Sequence, residues 1–184
     1  MHTLIVGARH VGKSTLIRSV IKRTGRPVYG FETVKEDALE TEVLGSPIYI
    51  YPAGGAHVRG EDNLVGYCKD KRPTTITETF DRWAERISAP PADCIVLLDE
   101  IGFMESSSAA FCDAVMRLLD GDIPVIAAVK HNSTPFLDSV KQHPNARCFH
   151  ITEENRDALL PQVLGFVLEQ LDSSLNSLKG EMQP

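Results

Sequence analysis

Gly7 to Ser14 reads GARHVGKS, with the β-rich run HTLIV (His2 to Val6) directly before it and a helix-forming run, Lys13 to Arg23, directly after it. This is the spacing G-x-x-x-x-G-K-[ST] in the strand, turn and helix setting in which it binds phosphate. Gly7 and Gly12 let the backbone turn so that its amides face an anion at the helix start. Lys13 can neutralise β and γ phosphates, and Ser14 can offer a hydroxyl to magnesium. The candidate nucleotide-binding set is therefore Gly7, Ala8, Arg9, His10, Val11, Gly12, Lys13, Ser14 and Thr15. A solvated surface position is the preferred reading for the His10 side chain.

A chain that begins this way is constrained to alternate strands with helices. After the first helix, with Leu16, Ile17, Val20 and Ile21 on one face, Gly25 and Pro27 give a stop. Tyr29 to Arg72 predicts short strands, SPIYIYP (Ser46 to Pro52) among them, and a mobile loop. Phe80, Trp83, Ala84 and Ile87 recur at helical spacing in Thr77 to Ile87, which puts Trp83 in the core. A strand over Cys94 to Leu98, a helix over Ser106 to Leu119, a strand over Ile123 to Val129, a short helix over Phe136 to Lys141 and a strand over Ala146 to Ile151 follow. Pro161 divides the last segment into helices at Asn155 to Leu160 and Pro161 to Leu171. The serine-rich tail from Asp172 to Pro184 reads as flexible. The expectation is one α/β domain over residues 1–171, a three-layer sandwich with a mostly parallel central sheet flanked by helices.

IVLLDE (Ile95 to Glu100) places two acids just beyond a buried strand, where parallel sheets hold their ligands. Asp99 is the candidate for magnesium positioning, with Ser14, and Glu100 for orienting and deprotonating a water. Both acids could instead begin a helix and favour its exposed amides. Lys130 ends the run IPVIAAV and would reach a terminal phosphate if its strand neighbours the phosphate-loop strand; a solvated strand-end lysine is the alternative. His131 has no acid in view to orient it.

Composition narrows the classes. A formal charge of -6 opposes generic nucleic-acid binding, although a local basic cleft can still take a nucleotide. No apolar stretch is long enough to span a membrane, and no secretion signal is visible, so the expectation is cytoplasmic. Cys68, Cys94, Cys112 and Cys148 lack zinc-type spacing and read as free thiols.

With GARHVGKST, YGFET (Tyr29 to Thr33), LLDEIGFME (Leu97 to Glu105) and ITEENRDAL (Ile151 to Leu159) in this order, the chain resembles the small nucleoside-triphosphatase family, also called cancer-related nucleoside-triphosphatases. The likeness spans most of residues 1–171 and implies a P-loop ATPase-like domain with broad nucleotide use, Mg2+ dependence and release of the terminal phosphate. It assigns Gly12, Lys13, Ser14 and Thr15 to phosphate and magnesium, and Asp99 and Glu100 to metal positioning and water activation. It also places Asn155 and Arg156 near the nucleotide, around its base. From the residues alone, Asn155 could equally cap a helix and Arg156 pair with an acid. The chain departs from the family pattern at Arg9 and His10, and at YPAGGAHVRGEDN (Tyr51 to Asn63), where the family's arginine followed by Gly-Phe is missing. AGGAHVRG would open on its glycines and close through Arg59. Two other functions share the phosphate loop: a nucleoside or nucleotide kinase, with Arg59, Lys69, Lys71 and Arg72 near an acceptor, and a slow nucleotide-dependent interaction module.

Overall fold

In a computed structural model, residues 1–180 are described in backbone and residues 1–172 in side-chain detail. The flexible tail expected over 172–184 therefore falls almost wholly outside the described side chains.

Among the described residues, eight strands form one sheet in the order β5-β4-β3-β2-β6-β7-β1-β8. β1 (His2–Gly7), β2 (Val28–Lys35), β6 (Ile95–Ile101), β7 (Val125–Lys130) and β8 (Ala146–His150) run parallel. β3 (Ser46–Pro52), β4 (Leu64–Lys69) and β5 (Arg72–Thr75) extend the β2 edge antiparallel. The central strands are apolar on both sides because helices cover both faces. One layer holds α1 (Lys13–Thr24) and α5 (Arg156–Gly180), whose Leu16, Ile17, Val163 and Val167 pack on Ile5, Ile126 and Phe149. The other holds α2 (Thr77–Ile87), α3 (Ala109–Asp120) and α4 (Pro135–Lys141). There Phe111 meets Phe31 and Phe80 at ring-centroid distances of 5.4 and 5.1 Å. Trp83 is buried in this layer, with the Arg86 guanidinium 4.6 Å from its ring centre.

The three-layer sandwich agrees with the sequence; several boundaries move. Tyr29 to Arg72 is mostly an ordered meander, because β2 to β5 pair with one another. The helix expected from Ser106 begins at Ala109, after a short 3-10 turn, because the Ser108 hydroxyl accepts from Phe111 N at 3.0 Å and caps it. The strand expected from Ile123 begins at Val125, and α4 starts one residue early on the Thr134 cap.

The division at Pro161 is not observed: α5 is one helix. Proline removes only the N–H that would reach the Asp157 carbonyl, and Asp157 is exposed to water that can serve instead. Leu159, Val163, Val167 and Leu171 form one buried stripe at four-residue spacing across the proline, and that packing holds the helix continuous.

His2 joins the first strand to the far layer. Its Nδ1 accepts from Val125 N at 3.1 Å, so the ring proton sits on Nε2, 2.9 Å from the Leu119 carbonyl that accepts it. Burial, with the N-terminal ammonium adding to it, lowers its pKa to about 4. The unfolded chain therefore takes up the proton first, and stability present above pH 6.5 is lost as pH falls toward 4. Urea unfolding should show a loss of about 3 kcal/mol over that window that is absent from His2→Asn. A parallel pH profile in the variant would contradict this.

Candidate active site

The site lies where the carboxyl ends of β1, β7, β6 and β2 come together. Gly7 ends β1, and a β-carbon there would meet the Ile151 carbonyl at 2.7 Å, so only glycine lets the chain turn away beneath β8. Ala8, Arg9 and His10 are exposed on the turn, whereas the Val11 side chain is buried in the core beneath it. Gly12 has φ 102°, a left-handed conformation that favours glycine. The next residue, Lys13, begins α1 with its amide end facing the cleft.

Lys13 is buried at 6% exposure. Its ammonium donates to the Gly7 and Ala8 carbonyls at 3.1 and 2.7 Å. It also lies 2.9 Å from Glu100 Oε1. That last pair is an ion contact without hydrogen-bond alignment. The next residue, Ser14, donates from Oγ to Asp99 Oδ1 at 3.0 Å.

Asp99 and Glu100 both reach the loop although successive strand residues normally face opposite ways. The β6–β7 register provides the reason: Asp99 pairs with Ala128 and Ile101 with Val129, leaving Glu100 as the extra residue of a bulge. Burial, reinforced by the charges of Glu100 and Glu32, raises the Asp99 pKa to about 6 against the opposing Ser14 hydrogen bond. A buried carboxylate in that state favours a nearby cation.

Lys130 closes the other side. Its strand does neighbour the phosphate-loop strand, in register with Gly7. Its chain lies over Gly102, where a β-carbon would sit 3.0 Å from Nζ, and Nζ stands 5.2 Å from the Phe103 ring centre. Glu105, 4% exposed, accepts from Gly102 N at 2.8 Å. Its pKa is raised to about 7 by burial, with Lys130 and the Gly102 amide pulling it back. Glu105 thereby ties down the turn that carries Lys130's contact.

Three further residues, Glu32, Arg18 and His57, were not singled out from the sequence. Glu32, in register beside Asp99, is buried and accepts from Arg18 Nε and Nη2 at 3.3 and 3.2 Å, with His57 Nε2 at 3.3 Å from its other oxygen. The available signal was an acid just past the buried strand residue Phe31, in the YGFET segment. His57 also stacks on Tyr51 at 4.2 Å, which binds the glycine-containing loop to the sheet, and Arg59 is not among the residues lining the cleft.

A cleft of about 870 Å³ covers the loop and takes in Lys13, Ser14, Glu100, Lys130 and His131. A smaller pocket of about 330 Å³ adjoins it between α1 and α5, bounded by Gly12, Thr15, Ser19 and Arg156. Arg156 Cδ lies 3.7 Å from where a β-carbon on Gly12 would be. The Asn155 side chain is committed to its own turn, accepting from Thr152 N at 2.8 Å and donating to the His150 carbonyl at 2.9 Å, and it lines neither pocket.

Among the described residues, no group of three or more His, Cys, Asp or Glu side chains could hold a metal, and no helix is long and apolar enough to cross a membrane. The four cysteines are free thiols.

The chain has relatives that match it over most of its length. The chain is 27% identical over 186 residues to nucleoside-triphosphatase THEP1 of Thermotoga petrophila, covering 89% of this chain and 91% of that protein. It is 28% identical over 186 residues to the cancer-related nucleoside-triphosphatase homolog of Mus musculus, covering 90% and 96%. The crystal structure of THEP1 from Aquifex aeolicus shares the fold at a TM-score of 0.67 and 24% identity, over 91% of this chain and 99% of that one. The sequence profile of the NTPase family, described as NTPase, matches residues 2–164. A match over that span, carrying both the phosphate loop and the acids that face it, shows that the chain belongs to the NTPase family.

Proposed function

We propose that the chain is a magnesium-dependent nucleoside-triphosphatase that hydrolyses ATP, GTP or other triphosphates to the diphosphate and phosphate. The observation that carries this reading is the Glu100 carboxylate held 2.9 Å from the phosphate-loop ammonium. A carboxylate there stands beside the terminal phosphate, where an attacking water needs orientation and a proton acceptor.

The triphosphate takes its place along the loop from Gly7 to Thr15, and its oxygens compete for Lys13 with Glu100. The aligned bonds of Lys13 go to Gly7 and Ala8, so the unaligned contact with Glu100 is the one to yield. Glu100, released, turns to the water. Lys13 and Lys130 meet charge that develops on the phosphate oxygens in the transition state. Ser14 and Asp99 supply hard oxygen donors already 3.0 Å apart, which fits magnesium, an ion that keeps several waters and uses few protein ligands. Magnesium, when bound, neutralises charge on the β and γ phosphates. Arg156 borders the nucleoside in the smaller pocket, with Asn155 shaping the turn before it. The free thiols favour a reducing compartment such as the cytoplasm.

Lys13→Ala should weaken triphosphate binding in equilibrium titration; unchanged affinity in a folded variant would remove the loop assignment. Glu100→Gln should bind triphosphate at least as tightly as the parent, because the competing charge is gone. Its single-turnover phosphate release should fall by roughly 10² to 10⁴-fold. Asp99→Asn should lose magnesium-supported affinity as well as turnover. Near-normal release by the Glu100 variant would assign the base elsewhere.

A further inference from the structure

The cleft over the phosphate loop exceeds what a triphosphate needs, because the nucleoside has a pocket of its own. That pocket meets the main cleft at Gly12 and Thr15. A triphosphate with its base between α1 and α5 thus enters the 870 Å³ cleft from one end only. The remainder continues past Lys13 and Glu100, over Thr33 at the end of β2, to Ile48, Cys68 and Pro73 on the antiparallel extension. Ligand pockets measure roughly 300–1,000 Å³, so there is room for a second small molecule.

The far end is chemically specific. The chain carries a net charge of -6, yet the cleft is lined by Arg9, Lys13, Arg18, Lys35, Lys71 and Lys130 against Asp37, Glu100 and Glu105. Two of those acids are already matched, Asp37 by Lys35 at 2.6 Å and Glu100 by Lys13 at 2.9 Å. Lys71 lies at the rim on the tight β4–β5 turn, where Asp70 and Lys71 have φ 49° and 63°. The Thr33 hydroxyl on the cleft wall is buried without a hydrogen-bond partner. Beside these polar groups, Ile48, Pro73, Met104 and the 40%-exposed Phe103 offer apolar surface. An anion attached to a flat ring system, with a face to stack on apolar side chains and polar edges for the unpaired hydroxyl, matches that combination.

We propose that this end of the cleft is an acceptor subsite for a nucleoside monophosphate, with Lys71 and Arg9 on its phosphate, so that the chain transfers a γ-phosphoryl group to it as well as to water. The inference rests on the triphosphate-binding reading above. An oxygen of the acceptor's phosphate forms a bond to the γ phosphorus while the bond from that phosphorus to the β-bridging oxygen breaks. The bridging oxygen keeps the electron pair and leaves with the nucleoside diphosphate. The attacking oxygen is already ionised at neutral pH, so no base is required and transfer, unlike hydrolysis, does not depend on Glu100.

The test follows γ-labelled ATP with GMP, and γ-labelled GTP with AMP, separating labelled diphosphate from labelled inorganic phosphate. Labelled GDP or ADP should appear and saturate with monophosphate. Lys71→Ala should raise the half-saturating monophosphate concentration about tenfold or more while leaving phosphate release without acceptor unchanged. Glu100→Gln should keep labelling the acceptor while its release to water falls. Label confined to inorganic phosphate at millimolar monophosphate, from a chain that releases phosphate normally, overturns the subsite. So does saturation indifferent to Lys71→Ala. Acceptor labelling with no release to water would uphold the subsite and count against the triphosphatase reading instead.

Discussion

A buried ammonium organises this molecule. Lys13 is 6% exposed, and a charge so placed is stable only when other groups replace its water. The Gly7 and Ala8 carbonyls and the Glu100 carboxylate do so. Each partner comes from the end of a parallel strand or the turn after it, so the ion pair fixes the loop, β1 and β6 relative to one another. On the proposed reading the same contact makes the site responsive, because an incoming phosphate replaces Glu100 on Lys13 without leaving the ammonium unpaired. Filling the loop and freeing the carboxylate are then one event.

The second constraint is the bulge at Glu100. Without the extra residue between Asp99 and Ile101, alternation would turn one of the two acids away from the loop. With it, Asp99 meets Ser14 while Glu100 meets Lys13. Division of labour between the two carboxylates therefore comes from backbone register. Glu32, on the neighbouring strand, adds a third acid, itself buried, whose charge is held by Arg18 and His57, which links α1 and the loop after β3 to the same region.

Much of this was legible because it is local. GARHVGKS carries its own strand and helix context, and IVLLDE announces a buried strand ending in acids, so the two halves of the site could be paired on the page of sequence alone. Lys130 needed one long-range fact, that β7 lies beside β1, which no spacing along the chain contains. The β2–β5 meander was hidden for the same reason: its strands are defined by pairing with one another, and Gly54, Gly55 and Gly60 between them look like loop. Glu32 was obscured because its importance depends on standing in register with Asp99. Pro161 misled because a local rule about helix breaking was outweighed by a buried stripe on both sides of it. Asn155 was left open between the base and a cap, and its side chain is spent on the turn.

The most direct measurement is a crystal structure of the chain with magnesium and a non-hydrolysable triphosphate. The account predicts phosphate oxygens on the amides from Gly7 to Thr15, with Lys13 Nζ about 3 Å from them and no longer beside Glu100, whose carboxylate faces the terminal phosphate. A bound triphosphate with Lys13 still paired to Glu100 at 2.9 Å would contradict it.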